Sequence, residues 1–251
     1  MKAWIKRAGV MFGAAAAMAA NPASAQEWEV TATPYIWATG LDGDTSVLST
    51  LPPVEVDDDF GDVLENLDIG VMAVAQADNG KIYLRSDVFF ASVTSEGETP
   101  GNVFSGAELN TNTFNISAAA GLVATKSDAG QLNLYAGARL WNLNNEVTFF
   151  LDPEPGPVFE DERTFIAPMV GANGRIAVTD SITATATASL GGFGVSGADL
   201  EVDLVATLAF DIGENWGVTA GYRYLYLDYE NDGFVFDLAQ HGPLVGAYFQ
   251  F

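Results

Sequence analysis

Few residues in this chain could do chemistry. It has one histidine, His241, and no cysteine, which excludes thiol chemistry, disulfide stapling and any site built on several imidazoles. A histidine general base needs a partner that orients it, and "AQHGP" offers neither Asp nor Ser beside His241. Its parity with Val245, Phe249 and Phe251 instead puts it on the strand face of the terminal aromatic residues, a rim or girdle position. No catalytic or cofactor-binding residue is assigned, and the chain reads as a non-enzyme.

Carboxylates dominate, with 33 Asp+Glu against 10 Lys+Arg and a formal charge of −23. That balance excludes nucleic acid as a partner. The densest run, "DDDFGDVLENLD" from Asp57, begins like a calcium loop, but Gly61 stands where a ligand is needed and Asp62 where glycine is. No metal ligand is therefore assigned. The acidic stretches 40–67 and 150–162 read as solvated, mutually repelling surface at which divalent cations can gather between carboxylates and lipid phosphates.

A third group mixes signs. Arg85, Asp87, Arg139, Arg175, Asp199, Glu201, Asp203 and Arg223 fall in mid-segment on the polar face of apolar/polar alternations. If those faces turn inward, they form a lumen cluster in which opposite charges pair.

The elements that must position these residues are strands. From Asp199 to Phe210, Leu200, Val202, Leu204, Ala206, Leu208 and Phe210 share one face opposite Glu201, Asp203 and Thr207, the period of a half-buried strand. Ile182–Leu190 repeats the pattern with Thr183, Thr185 and Thr187 on the polar side. Ten such segments are expected, near 27–39, 68–77, 81–93, 110–126, 131–149, 161–178, 181–191, 198–211, 216–229 and 238–251, with eight as the smaller alternative. Tight turns at 78–80, 127–130, 179–180 and 212–215 alternate with longer connections at 40–67, 94–109, 150–160 and 230–237, with one short exception at 192–197. Short turns at one end and longer loops at the other are the layout of a closed antiparallel outer-membrane barrel.

Residues 1–25 have the basic start, short apolar stretch and Ala23-Ser24-Ala25 ending of a cleaved signal peptide, leaving 26–251 as the barrel domain. Loss of Lys2, Lys6 and Arg7 leaves 7 basic against 33 acidic residues and a net charge of −26. No later segment is apolar enough for a membrane helix, so a membrane-embedded form must be a barrel.

The chain closes on "GPLVGAYFQF". Gly246, Phe249 and Phe251 resemble the C-terminal signature of bacterial outer-membrane barrels, with Leu244 where that pattern carries a polar residue. "VTATPYIWATGLDGD" and "FGDVLENLDIGVMAVAQA" resemble a family of small, largely uncharacterised proteobacterial outer-membrane proteins. The resemblance implies a fold, a compartment and an assembly signal read by the barrel-assembly machinery, and no activity.

Phe60, Val63, Leu64 and Leu67 recur at i, i+3, i+4 and i+7, which predicts a short amphipathic helix in the first external loop, packed over the mouth or against the rim. Ten strands leave little spare interior width, and Tyr83, Tyr135, Trp141, Phe89 and the arginines share the inward parity. The sequence therefore reads as a largely plugged barrel with a structural or surface-interaction role and no cofactor, its partners being outer-membrane lipid and lipopolysaccharide. The alternative is a narrow channel or transporter for small, cationic or apolar solutes; a surface enzyme stands third.

Overall fold

A computed structural model describes residues 28–50, 52–97, 104–151 and 155–251; the expected signal segment, Asp152 and Glu154 lie outside them. The elements run β1 (Glu29–Trp37), β2 (Gly40–Thr45), β3 (Val54–Asp58), α1 (Phe60–Glu65), β4 (Leu67–Asp78), β5 (Ile82–Gly97), β6 (Gly106–Ser127), β7 (Gly130–Phe150), β8 (Pro155–Thr179), β9 (Ile182–Val195), β10 (Ala198–Asp211), β11 (Trp216–Asn231) and β12 (Phe234–Gln250). Ten of them, β1 and β4 to β12, pair antiparallel in chain order, and β1 returns to β12 through pairs such as Ala32↔Phe249 and Ile36↔Val245. The sheet is a closed ten-stranded barrel. β2 and β3 are two additional strands: β2 continues the line of β1 along the upper half of β12, with His241↔Gly40 and Phe236↔Thr45, and β3 folds back on β2.

Alternation in β7 fixes which face looks out. Leu134 is 51% exposed and Tyr135, its neighbour, 6%; only a barrel with an apolar exterior and a filled interior gives that contrast. Leu122, Ile166, Val170, Leu204 and Val245 continue the outward apolar belt. Among the described residues no helix is long and apolar enough to cross a membrane; the outward apolar belt of the closed barrel is the surface that suits hydrocarbon.

Strand lengths are unequal. β9 to β12 have 14–17 residues, whereas β6, β7 and β8 have 22, 21 and 25, about twice the 9–11 that cross a bilayer. Beyond Leu140 and Ile166 the outward face of this wing turns polar: Asn142 Nδ2 donates to Glu162 at 2.7 Å and Asn144 Nδ2 to Glu160 at 2.8 Å.

Four sequence expectations change. The connection at 230–237 is a two-residue turn, with Asp232 and Gly233 at φ 49° and 79° closing β11 onto β12, the left-handed pair that a tight hairpin requires. The loops expected at 94–109 and 150–160 are partly strand, reaching Gly97, beginning again at Gly106, and starting at Pro155. The first external loop holds the β2–β3 hairpin as well as a helix. That helix stops at Glu65, so Leu67 is the first residue of β4 rather than its fourth apolar contact; Phe60 is 39% exposed and Val63 half-buried.

Candidate functional site in the barrel lumen

Inward residues arrange themselves in layers along the barrel axis. At mid-height three arginines and three carboxylates face one another. Asp203 on β10 accepts from Arg223 (Nε–Oδ1 3.0 Å, Nη2–Oδ2 2.8 Å) and from Arg139 Nη2 at 2.6 Å. Arg139 also pairs with Glu201 at 3.0 Å, and Trp141 Nε1 donates to the other oxygen of Glu201 at 2.8 Å. Asp87 holds Arg223 at 3.3 Å and Arg85 at 3.5 Å, while the Tyr35 hydroxyl bridges Arg223 and Asp87. The signs cancel. An unpaired charge at this depth would carry a large desolvation penalty, so the pairing is what makes six ionised groups tolerable there. The guanidinium groups of Arg139 and Arg223 also lie 5.9 and 5.1 Å from the ring centroids of Trp141 and Trp37, within cation–π range.

Toward the long-loop end the lumen is filled mainly with apolar side chains, with Asn115 and Thr113 buried among them. Phe165 stacks on Tyr229 at 4.0 Å, Trp141 lies 6.4 Å from Phe165, and Trp37 meets Phe89 edge-on at 5.8 Å. Leu225, Leu227, Phe234 and Leu238 complete the cluster. Above it the chain after β2 folds into the mouth. Ser46 Oγ accepts from Val235 N at 3.0 Å, Asn145 Nδ2 donates to Ser46 O at 3.1 Å, and Ser49 N donates to Asp161 at 2.7 Å. Leu48, within this strap, is buried, and the anchors to Val235, Asn145 and Asp161 set residues 46–49 over the mouth, where a helical lid was one expectation.

Toward the short-turn end lies a cavity of about 370 Å³ with hydroxyl walls, Thr31, Thr33, Thr185 and Thr207 among them, and Arg85 and Arg223 at its inner limit. A polar ladder lines its rim: Arg175 donates to Gln131 at 2.8 Å, Gln131 to Asn133 at 2.8 Å, Asn133 to Asn173 at 3.2 Å and Asn173 to Thr187 at 2.8 Å. Lys126 pairs with Glu29 and Asp78 at 3.2 and 3.3 Å.

Of the inward cluster read from sequence, Arg85, Asp87, Arg139, Glu201, Asp203 and Arg223 meet in the mid-height layer. Arg175 stands apart at the short-turn rim, paired with Glu29 at 3.2 Å. Asp199 is exposed, because a register shift between Ala198 and Leu200 turns Ala198 inward instead. Sequence reasoning missed Tyr35 and the strap; the polar tip of Tyr35, in inward parity with Thr31 and Thr33, was the available signal. In the tail, Phe249 and Phe251 face outward and Gly246 pairs with Tyr35, with no room for a side chain against Pro34 O at 2.6 Å. Leu244 points into the lumen and packs in the apolar cluster. His241 faces outward, its Nδ1 3.0 Å from the Tyr222 hydroxyl and its ring stacked with Tyr222 and Tyr224. Among the described residues no group of three or more acidic, His or Cys side chains is placed to hold a metal ion.

No family model matches the chain, and no curated protein matches it in sequence. Its structure is similar to that of the outer membrane protease OmpT from Escherichia coli, with 9% identity, a TM-score of 0.54, and coverage of 89% of this chain and 97% of that one. The translocator domain of autotransporter NalP from Neisseria meningitidis aligns with a TM-score of 0.44 and 13% identity over 99% and 96% of the two chains. Ail of Yersinia pestis aligns at 0.36 and 10% over 89% and 98%. The likeness to the protease concerns the fold alone. A closed antiparallel barrel of ten strands with an outward apolar belt is an outer-membrane β-barrel.

Proposed function

We propose that the protein is an axially sealed barrel that serves the envelope as a structural element and through contacts made by its outer wing and loops. The observation that carries this reading is the dense side-chain filling from Trp37 and Phe89 to Phe234, apolar except for fully buried Asn115 between Phe89 and Trp141, with the 46–49 strap over the mouth. Packing that leaves Trp141 and Asn115 at 0% exposure leaves no room for a continuous column of water. All seven Lys and Arg after residue 28 lie in the lumen (Arg85, Arg139, Arg223), in the inward pair Arg163–Asp161, or at the short-turn end (Lys81, Lys126, Arg175). With the termini on the periplasmic side, the exterior of the long-loop end meets lipopolysaccharide phosphates without cations of its own, so divalent ions supply the contact. The terminal strand, with Gly246, Phe249 and Phe251, serves as the signal for the barrel-assembly machinery.

The test is conductance in a planar bilayer: the sealed barrel gives no steady open level. A second reading, a narrow conduit, draws on the cavity of about 370 Å³ that reaches Arg85 and Arg223 from the short-turn end. It requires a measurable open level that disappears when Glu201 and Asp203 are neutralised.

A further inference from the structure

Among the described residues, the wall above the β8–β9 ladder opens only beyond Met169, at the wing, whereas between β1 and β4 it opens at membrane height. β1 pairs with β4 from Glu29↔Asp78 to Pro34↔Ala73, and the ladder ends there. Above it, Leu67–Met72 pair with β5 on one side and have no ladder partner among the described residues on the other. The chain instead leaves the wall between Asp59 and Asn66, through α1, and resumes pairing with β2 at Asp58. With a rise of about 3.3 Å per residue and a tilt of about 40°, Met72 stands roughly 15 Å and Leu67 roughly 28 Å above Asp78. An apolar band is about 25 Å tall, so the break lies in its outer-leaflet half, where open sheet edges are not stable against hydrocarbon.

Two features show that the break is a slot. Gly70 shares the inward face of Met72 and Ala91 yet is exposed, and a Cβ added there would meet nothing closer than 3.8 Å. The slot leads to apolar side chains: Met72 packs against the cluster that contains Trp37 and Phe89, while Ile36, Ile69 and Val71 flank it on the membrane side at 70, 52 and 44% exposure. The two edges also match. Extending the ladder beyond Pro34↔Ala73 sets Ile36 opposite Val71, both outward, and Trp37 opposite Gly70, both inward. The seam can therefore close in register with every side chain on its proper face.

We propose that the β1–β4 seam is a lateral slot for the hydrocarbon chain of an outer-leaflet lipid, which lies against Met72, Phe89 and Trp37 when the strands are apart and is shut out when they zip. The occupant follows from continuity, since the slot opens directly onto the lipid-facing belt and its lining is apolar. Zipping satisfies the edge N–H and C=O groups and the chain fills the open form, so the occupant shifts the equilibrium by binding only one state. The inference goes beyond the sealed-axis reading, which concerns the lumen and not the wall.

The test reads tryptophan quenching by phosphatidylcholine brominated along its acyl chains, with the protein in vesicles. A chain of residues 26–251, which lacks Trp4, retaining only Trp37 (Trp28→Phe, Trp141→Phe, Trp216→Phe) should lose as much fluorescence as one retaining only lipid-facing Trp216, although Trp37 is 3% exposed. Quenching no greater than for a chain retaining only Trp141 would overturn the proposal. A cysteine pair, Ile36→Cys with Val71→Cys, should abolish Trp37 quenching when oxidised and restore it when reduced. If the Trp141→Phe background does not fold, the same pair in the otherwise native chain decides: an oxidised-minus-reduced difference is expected, and equal quenching in both states refutes the slot.

Discussion

Arg223 and Asp203 stand diagonally on neighbouring strands and meet through two parallel hydrogen bonds, Nε–Oδ1 at 3.0 Å and Nη2–Oδ2 at 2.8 Å. Asp203 is also the carboxylate that Arg139 reaches at 2.6 Å, so it compensates two guanidinium groups at once. Asp203→Asn leaves a net positive charge in the sealed interior and should cost about 3–5 kcal/mol. The readout is the urea midpoint of the folded, fast-migrating gel band. Asp203→Asn with Arg223→Gln should cost less than the sum of the two single changes; strict additivity would mean that the pair is not coupled.

The apolar layer makes the opposite kind of prediction. Trp141→Ala with Phe165→Ala and Phe236→Ala removes the stacked rings and should turn a silent protein into one with discrete conductance steps in planar bilayers. Each truncation costs about 3–5 kcal/mol, so the experiment needs the folded band to persist. Folded protein that stays silent would place the axial seal at the charged layer instead.

Gly171 holds a packing position. A Cβ there would fall 2.5 Å from Cζ of Tyr135 and 2.6 Å from the backbone oxygen of Ala188. Gly171→Ala should push Tyr135 off the sheet and lower stability by about 1–3 kcal/mol, measured by the same urea midpoint. An unchanged midpoint would show that the ring moves freely.

The last strand closes the barrel at its end: Phe251 N donates to Val30 O at 2.9 Å and Gln250 N to Asn215 O at 2.8 Å. Deleting Phe249–Phe251 should remove the heat-modifiable species from outer-membrane fractions. Full assembly of the truncated chain would show that the signature is dispensable.

Cation-mediated contact with lipopolysaccharide predicts a chelator effect. Adding EDTA during purification should strip bound lipopolysaccharide from the protein, and magnesium should restore it. Retention unaffected by chelator would require direct contacts that the exterior of the long-loop end, lacking Lys and Arg, does not offer.

The barrel was readable in the sequence because lipid outside and packed side chains inside impose a strict two-residue period, as in Leu200–Phe210 against Glu201 and Asp203. Parity failed where the backbone leaves that period. Asp199 follows a turn region in which Phe193 and Ser196, both non-glycine, have φ of 56°, and the register shift there cannot be seen in alternation. The hairpin in the first loop was illegible because four of the six residues of "GLDGDT" are Gly or Asp, poor in strand propensity; it forms by pairing with β12. The helix was overextended since Leu67 fits both a helical face and the start of β4, and spacing alone does not separate the two. The turn at Asp232-Gly233 did carry its signal, Asp-Gly, hidden in an acidic stretch that reads equally well as loop.

The wing formed by β6, β7 and β8 rises above the membrane as hydrogen-bonded sheet, its polar outer face laced by Asn142, Asn144, Glu160 and Glu162. A flexible loop must give up conformational freedom when a partner orders it, at about 1–2 kcal/mol per residue for the backbone alone. This surface has already lost that freedom on folding. Whatever meets it encounters a fixed shape, so selectivity rests on fit and hydration rather than on the partner's capacity to organise a loop.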